Sequence, residues 1–153
     1  MKVQTVPIAS VVPYARNPRK NAGAVAKVAA SLREFGWRQP IVVDSEMVVV
    51  VGHTRLLAAQ QLGMAEVPVH VAEGLTANQI KAYRLADNRV HEEAEWDDEL
   101  LALELGDLRD AGLDLALTGF DDDELARLTI EPEAMAGDAD AVPEPEAEAI
   151  TVP

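Results

Sequence analysis

Residues 47–63, MVVVVGHTRLLAAQQLG, constrain the fold more than any other stretch of the chain. A run of β-branched residues reads as a buried strand, a single glycine follows, and residues 53–62 then carry helical spacing up to Gly63. A strand that passes into a helix through one glycine turns the helix's first N–H groups and its positive end toward the turn. Such a junction is an anion site by construction. Gly52 lets a phosphate approach the backbone, Thr54 offers a hydroxyl, and Arg55 offers a charge-assisted or bidentate contact. A plainer reading stays open, in which Gly52 serves only the turn and Arg55 pairs with a local carboxylate. The loop is no Walker motif, which needs more glycine and a lysine.

The flanking residues predict a mixed fold around this junction. Residues 3–8 (VQTVPI) read as a short strand, and residues 12–19 as a proline-punctuated loop. From Ala22 to Phe35, apolar Val25, Val28, Ala29, Leu32 and Phe35 fall at helical spacing, and Gly36 stands where a left-handed stop is wanted. Residues 39–43 and 47–51 are apolar runs separated by Asp44, Ser45 and Glu46, the pattern of a hairpin buried in a sheet. Residues 67–72 predict a further strand. Thr76 and Gln79 have capping-box spacing at the head of a helix running to about Arg89, with Ile80, Tyr83 and Leu85 among its apolar positions. Two acid-headed helices follow, at residues 97–111 and 121–129, punctuated by Gly112 and Gly119. Strands and helices intermixed, then helices alone, predict an α+β domain with a helical appendage.

Charge divides the chain more sharply than its total suggests. The 153 residues include 13 basic and 27 acidic side chains, a formal net charge of −14, and the length suits one domain with a small addition. Residues 1–91 hold 11 Lys or Arg against 6 acids, a balance of +5, whereas residues 92–153 hold 2 against 21, a balance of −19. A basic front attracts phosphate; an acidic back competes with nucleic acid for the basic surface, or only keeps the protein soluble. Residues 131–153 contain four prolines and seven acids with no base and no aromatic, too little apolar surface to offset chain entropy, so a disordered linker or tail is expected there. The expected division is a domain at 1–93, an acidic helical appendage at 94–130 and this segment.

The absence of cysteine excludes disulfide scaffolds, thiol catalysis and thiolate zinc sites. The first ten residues lack the apolar core of a signal peptide, and no apolar run approaches the roughly 20 residues of a membrane helix. A soluble, cytoplasmic protein is expected. Aromatic residues at 4% argue against base-stacking platforms.

Three further clusters could serve the same anion. Asn17, Pro18 and Arg19 form a turn before a helix, with Arg19 and Lys20 available for phosphate; a solvated basic turn is the alternative. Gln39 could read a base edge, with Pro40 fixing an extended start to the strand, or could be a capped surface residue. Asp87, Asn88 and Arg89, with Glu92 and Glu93 beyond, are expected at a helix end and offer oxygen ligands of the hard kind that Mg²⁺ accepts. A C-terminal cap explains Asn88 equally well. His53, His70 and His91 lack metal-type spacing, and no nucleophile elbow or Ser/His/Asp set is present.

Taken in order, NPR at 17–19, LREFGWRQPIVV at 32–43, VVGHTRLLAAQQLG at 50–63 and LADNR at 85–89 resemble the ParB/sulfiredoxin fold family over about residues 3–93. Each motif alone is unspecific; four in the family's order are not. The resemblance implies a mixed sheet with packed helices and a nucleotide pocket. In it the GxxR box, here Gly52, His53, Thr54 and Arg55, holds phosphates, and the strand around Gln39 and Pro40 borders the base. Asp87 and Asn88, in place of the family's Glu-Asn, help hold Mg²⁺, and the neighbouring Arg19 and Arg89 are counted with the site. ParB proteins use this pocket to bind and hydrolyse CTP as a switch that loads a clamp on DNA, so CTP or ATP with Mg²⁺ is the implied ligand. ParB proteins typically show Gly-Glu-Arg-Arg where this chain has Gly52-His53-Thr54-Arg55. Sulfiredoxins place their catalytic cysteine where His53 stands, which excludes sulfiredoxin activity.

The whole layout, including residues 95–128, is similar to the N-terminal ParB-like domain found on some DNA-modification methyltransferases. There an acidic, proline-containing linker leads to the catalytic domain, and residues 131–153 would be that linker. The chain carries no Gly-rich loop or Asp-Pro-Pro-Tyr type motif, so it is not expected to methylate anything itself. Acidic helices after residue 93 argue against a separate phosphate-contacting helix-turn-helix there. The expected function is that of a ParB-like nucleotide-binding accessory domain, with NTP hydrolysis open, acting with DNA at the N-terminal part of a DNA-modification methyltransferase. The alternative is a non-catalytic DNA- or protein-interaction module that has lost the nucleotide. ParB-like nuclease activity meets no dense carboxylate cluster in residues 1–91. Expected partners are nucleotide, DNA, a following methyltransferase domain and a second copy of the chain, with no membrane.

Overall fold

Val67 and Val69, both wholly buried, belong to the strand on which the sheet is organised. The computed structural model describes residues 1–16, 22–93 and 95–128. The expected basic turn at Asn17, Pro18, Arg19 and Lys20 and the tail at 131–153 lie outside the described residues. Four strands, β1 (Gln4–Pro7), β2 (Ile41–Val43), β3 (Val49–Val51) and β4 (Glu66–Val71), form a mixed sheet in the order β1-β4-β2-β3. β4 runs antiparallel to β1, with Val6 opposite Val67, and parallel to β2, with Ile41 opposite Val69. A parallel pair needs a crossover, and here the chain between β2 and β4 supplies β3 and a helix.

β2 and β3 form the antiparallel hairpin that the sequence predicts, with a register shift between Val42 and Val43. Asp44 Oδ1 accepts from the N–H groups of Glu46 and Val48 at 2.9 and 3.0 Å, and Met47 is held at φ 67°. Met47 and Val48 therefore belong to the turn side of the hairpin, and β3 starts at Val49.

Helix α1 (Ala22–Phe35) and helix α2 (His53–Gln61) lie where the apolar spacing predicts them, and Gly36 and Gly63, at φ 74° and 71°, stop them. Ala29 and Leu32 of α1 pack with Ala58 of α2. The main core joins Ile41, Val43, Val49, Val67 and Val69 of the sheet to Leu56 and Ala59 of α2 and to Val11. Each fully buried Val, Leu or Ile contributes about 1.5–3 kcal/mol relative to exposure.

Helix α3 (Ala77–Glu93) opens on the predicted capping box: Thr76 N–H donates to Gln79 Oε1 at 2.8 Å, and Gln79 N–H donates to Thr76 Oγ1 at 3.1 Å. It does not end near Arg89. No glycine or proline interrupts residues 86–93, Arg89 pairs with Glu92 at 3.3 Å, and His91 Nδ1 reaches the Asp87 carbonyl oxygen at 2.7 Å. Asp87 and Asn88 are thus interior helical residues, and the reading of Asn88 as a C-terminal cap is overturned. Ile80 and Arg84, one turn apart, are buried, whereas Tyr83 and Leu85 are exposed.

The chain divides into two compact units, Met1–Glu95 and the residues from Trp96 onward. The second contains α4 (Asp98–Asp110), a short 3-10 turn (Leu115–Thr118) and α5 (Asp122–Leu128). Asp97 caps α4 by accepting the Leu100 N–H at 3.2 Å, Leu105 is buried, and the rings of Trp96 and Phe120 lie 5.4 Å apart. The architecture is α+β, as the sequence predicts. Among the described residues no helix is long and apolar enough to cross a membrane.

Candidate functional site

Gly52 is the residue on which the site turns. It takes φ 101° and ψ 25°, a left-handed conformation unfavourable for any other residue type, and passes the chain from β3 into α2. A Cβ on Gly52 would lie 3.3 Å from Ile41 Cα and 3.4 Å from Arg55 Nη1, so the backbone itself forms this wall. No side chain caps α2 at Gly52. The helix therefore presents its N-terminal turn, and its positive end, beside Arg55.

A cavity of about 330 Å³, in the usual range for small-molecule sites, opens at this turn within the first unit. Gln39, Gly52, His53, Thr54, Arg55, Asp87 and Asn88 all line it, so sequence positions 39, 52–55 and 87–88 converge. Arg55 Nη2 donates to Gln39 Oε1, which fixes the guanidinium against the start of β2. Burial pushes the Arg55 guanidinium below its ordinary pKa, and the Asp87 carboxylate acts against that shift. The second reading of Arg55, pairing with a local carboxylate, is thus partly realised: Asp87 is its electrostatic neighbour while the cation stays at the cavity wall.

His53 occupies the first helical position of α2, and its Nδ1 is buried with no hydrogen-bond partner among the described residues. Burial lowers its pKa from the ordinary imidazole value, so the ring is neutral at pH 7.

Pro40 and Arg89 do not line the cavity; Arg89 is exposed and pairs with Glu92. Arg19 lies outside the described residues. Two lining residues, Tyr14 and Arg84, are not singled out by the sequence, and His91, set aside there for lack of metal-type spacing, also lines the cavity. A charged residue four positions after Ile80, on the inward face of α3, is the signal that could have found Arg84. Tyr14 gives no such signal, since only tertiary packing brings residues 12–16 to α3.

Residues 1–89 match the ParB N-terminal domain. The chain belongs to the ParB N-terminal domain family. The "ParB-like nuclease domain-containing protein YnaK" of Escherichia coli (strain K12) is 38% identical over 80 residues, covering 52% of this chain and 92% of that protein. The probable chromosome 2-partitioning protein ParB of Deinococcus radiodurans is 32% identical over 115 residues, 68% of this chain but 39% of that protein, so this chain spans well under half of that relative. The fold is that of the C-terminally truncated chromosome-partitioning protein ParB of Caulobacter crescentus, solved with CTP-gamma-S, at a TM-score of 0.69 and 21% identity, covering 87% of this chain and 82% of that one.

Residues 99–153 match the ParB-methyltransferase HTH domain. This corrects the expectation that no helix-turn-helix module follows residue 93. That expectation rested on charge: acids head both α4, at Asp98 and Glu99, and α5, at Asp122, Asp123 and Glu124. Acids in a first turn favour a helix N-terminus, so here they report helix position as well as surface charge.

Proposed function

We propose that this ParB-like chain binds a nucleoside triphosphate, CTP or ATP, in the cavity at Gly52 and acts with DNA alongside a methyltransferase. One observation carries this reading: the left-handed Gly52, the start of α2, Arg55, Gln39, Asp87 and Asn88 share a single cavity. Phosphates fit the α2 terminus and Arg55, and the ligand's base lies toward Gln39. Support comes from the Caulobacter ParB of the same fold, which was solved with CTP-gamma-S.

Asp87 and Asn88 are the oxygen donors that would meet a Mg²⁺ ion carried on the phosphates, where the ion would neutralise phosphate charge. A single carboxylate and a carboxamide suit an ion held largely by phosphate oxygens and water.

The role with DNA and methyltransferase is supported by the match of residues 99–153 to the ParB-methyltransferase HTH domain and by the +5 balance of residues 1–91. On this reading residues 1–93 hold the nucleotide, 94–130 form the helical appendage and 131–153 link to the methyltransferase. Calorimetric titration with CTP, ATP and GTP in Mg²⁺ tests it. Saturable binding of CTP or ATP, weakened about tenfold or more by Arg55→Ala, is expected. No heat from any of the three at about 1 mM, a weak-binding ceiling, would overturn it.

The box Gly52-His53-Thr54-Arg55 favours one second reading, an interaction module without nucleotide. Its mark would be DNA binding that falls on Arg55→Ala while the unmodified chain binds no nucleotide.

A further inference from the structure

Arg84 is 7% exposed, the one charged residue buried among those described. Its Nε and Nη2 both donate to the Val49 carbonyl oxygen, at 3.2 and 3.0 Å, and its Cζ lies 3.6 Å from the centroid of the Tyr14 ring. Two bonds and a stacked ring fix the guanidinium plane. No ion pair among the described residues includes Arg84, and none of their hydrogen bonds uses its Nη1. The nearest acid along the helix, Asp87, instead acts on Arg55 and lies 3.8 Å from His91 Nδ1.

A structural clamp on the Val49 carbonyl does not account for this arrangement. Any neutral donor of similar length would serve that oxygen, whereas a buried cation without a carboxylate is unfavourable unless something else supplies the negative charge. Arg84 also lines the cavity, together with Tyr14. Two guanidinium groups, Arg55 and Arg84, thus face a cavity in which Asp87 is the single lining carboxylate among the described residues, with His53 neutral. Among the described residues the lining thus carries one more guanidinium than carboxylate.

We propose that Arg84 is a second anion-recognising residue of this cavity, held in place by Tyr14 and the Val49 carbonyl so that Nη1 engages an oxygen of the ligand's polyphosphate chain. The proposal rests on the nucleotide reading above and deepens it. A guanidinium fixed in advance loses little freedom on binding, and its contact strengthens with the charge of the bound chain. The residue acts on phosphate, so its contribution must grow with the number of phosphates.

The experiment titrates the full chain with CMP, CTP, AMP and ATP in Mg²⁺, comparing the unmodified protein with Arg84→Gln, Arg84→Lys and Arg55→Ala, each checked for folding by circular dichroism. Arg84→Gln should weaken triphosphate binding by about ten- to a hundredfold, with a clearly smaller loss for the monophosphate, and Arg84→Lys should fall between. Should both Arg84 variants fail to fold, Tyr14→Leu releases one face of the guanidinium, and the same selective loss of triphosphate affinity is expected. Triphosphate binding within about twofold of the unmodified chain, or equal losses for mono- and triphosphate, overturns the role of Arg84 while leaving the nucleotide site intact. No binding by the unmodified chain overturns both.

Discussion

The two units of the chain are stabilised differently. Among the described residues, thirteen of the fourteen buried apolar side chains belong to Met1–Glu95, so that unit rests on burial around its sheet, and Leu105 alone represents the unit that begins at Trp96. The second unit instead shows local devices at its helix starts. Asp97 caps α4, Asp114 accepts from the Ala116 N–H at 3.0 Å, and the Asp121 N–H donates to Glu124 Oε1 at 2.9 Å. Leu100 and Leu103 of α4 remain more than half exposed. A cavity needs walls that do not yield, and it is found where the core is. The acids that make the second unit look featureless to a phosphate are the same residues that begin its helices.

The largest test of this contrast is Leu56→Ala, which removes a side chain wholly buried between α2 and the sheet. Urea unfolding should show a loss of about 2–5 kcal/mol. Gly52→Ala comes next: a Cβ at φ 101° and 3.3 Å from Ile41 Cα should cost about 1–3 kcal/mol in the same assay. If the proposed site is right, it should also abolish nucleotide binding, because the added methyl group stands at the turn proposed to hold the phosphates. In the second unit Asp97→Ala should cost only about 1 kcal/mol, seen as lost helical ellipticity on mild heating. A loss there equal to that of Leu56→Ala would erase the distinction between a unit built on burial and one built on caps.

The smallest expected effect concerns pH. His53 is held neutral in the folded chain, its pKa lowered by burial, so the unfolded chain binds its proton more readily. Stability from this group is fully present above the unfolded imidazole value, near 6.5, and declines as pH falls through the lower folded value. Melting temperatures from pH 5 to 8 should therefore drop less steeply on the acid side in His53→Leu than in the unmodified chain. Parallel curves would mean that the ring is solvated.

Much of the first unit is legible in its residues because local signals and burial agree there. Gly36 and Gly63 end helices that apolar spacing had already placed, Thr76 and Gln79 form the capping box their spacing predicts, and the strand-to-helix junction at Gly52 is where the β-branched run stops. Misreadings arise where a single contact decides. Asp44 draws Met47 into a left-handed turn and delays β3, and side-chain pairs beyond Arg89 carry α3 on to Glu93. Arg84 and Tyr14 could not be joined from sequence, since their contact spans seventy positions and depends on how α3 lies over β3. The acidic helices were legible as helices, but charge alone concealed their likeness to a helix-turn-helix domain.

Amide chemical shifts of the ¹⁵N-labelled chain titrated with CTP and ATP in Mg²⁺ test the central claim most directly, because they locate binding residue by residue. Shifts centred on Gly52, His53, Thr54, Arg55, Asp87 and Asn88, with the amides of Asp98–Asp110 unmoved, are predicted. Unchanged spectra, or shifts confined to the helices after Trp96, would contradict a nucleotide site at the Gly52 turn.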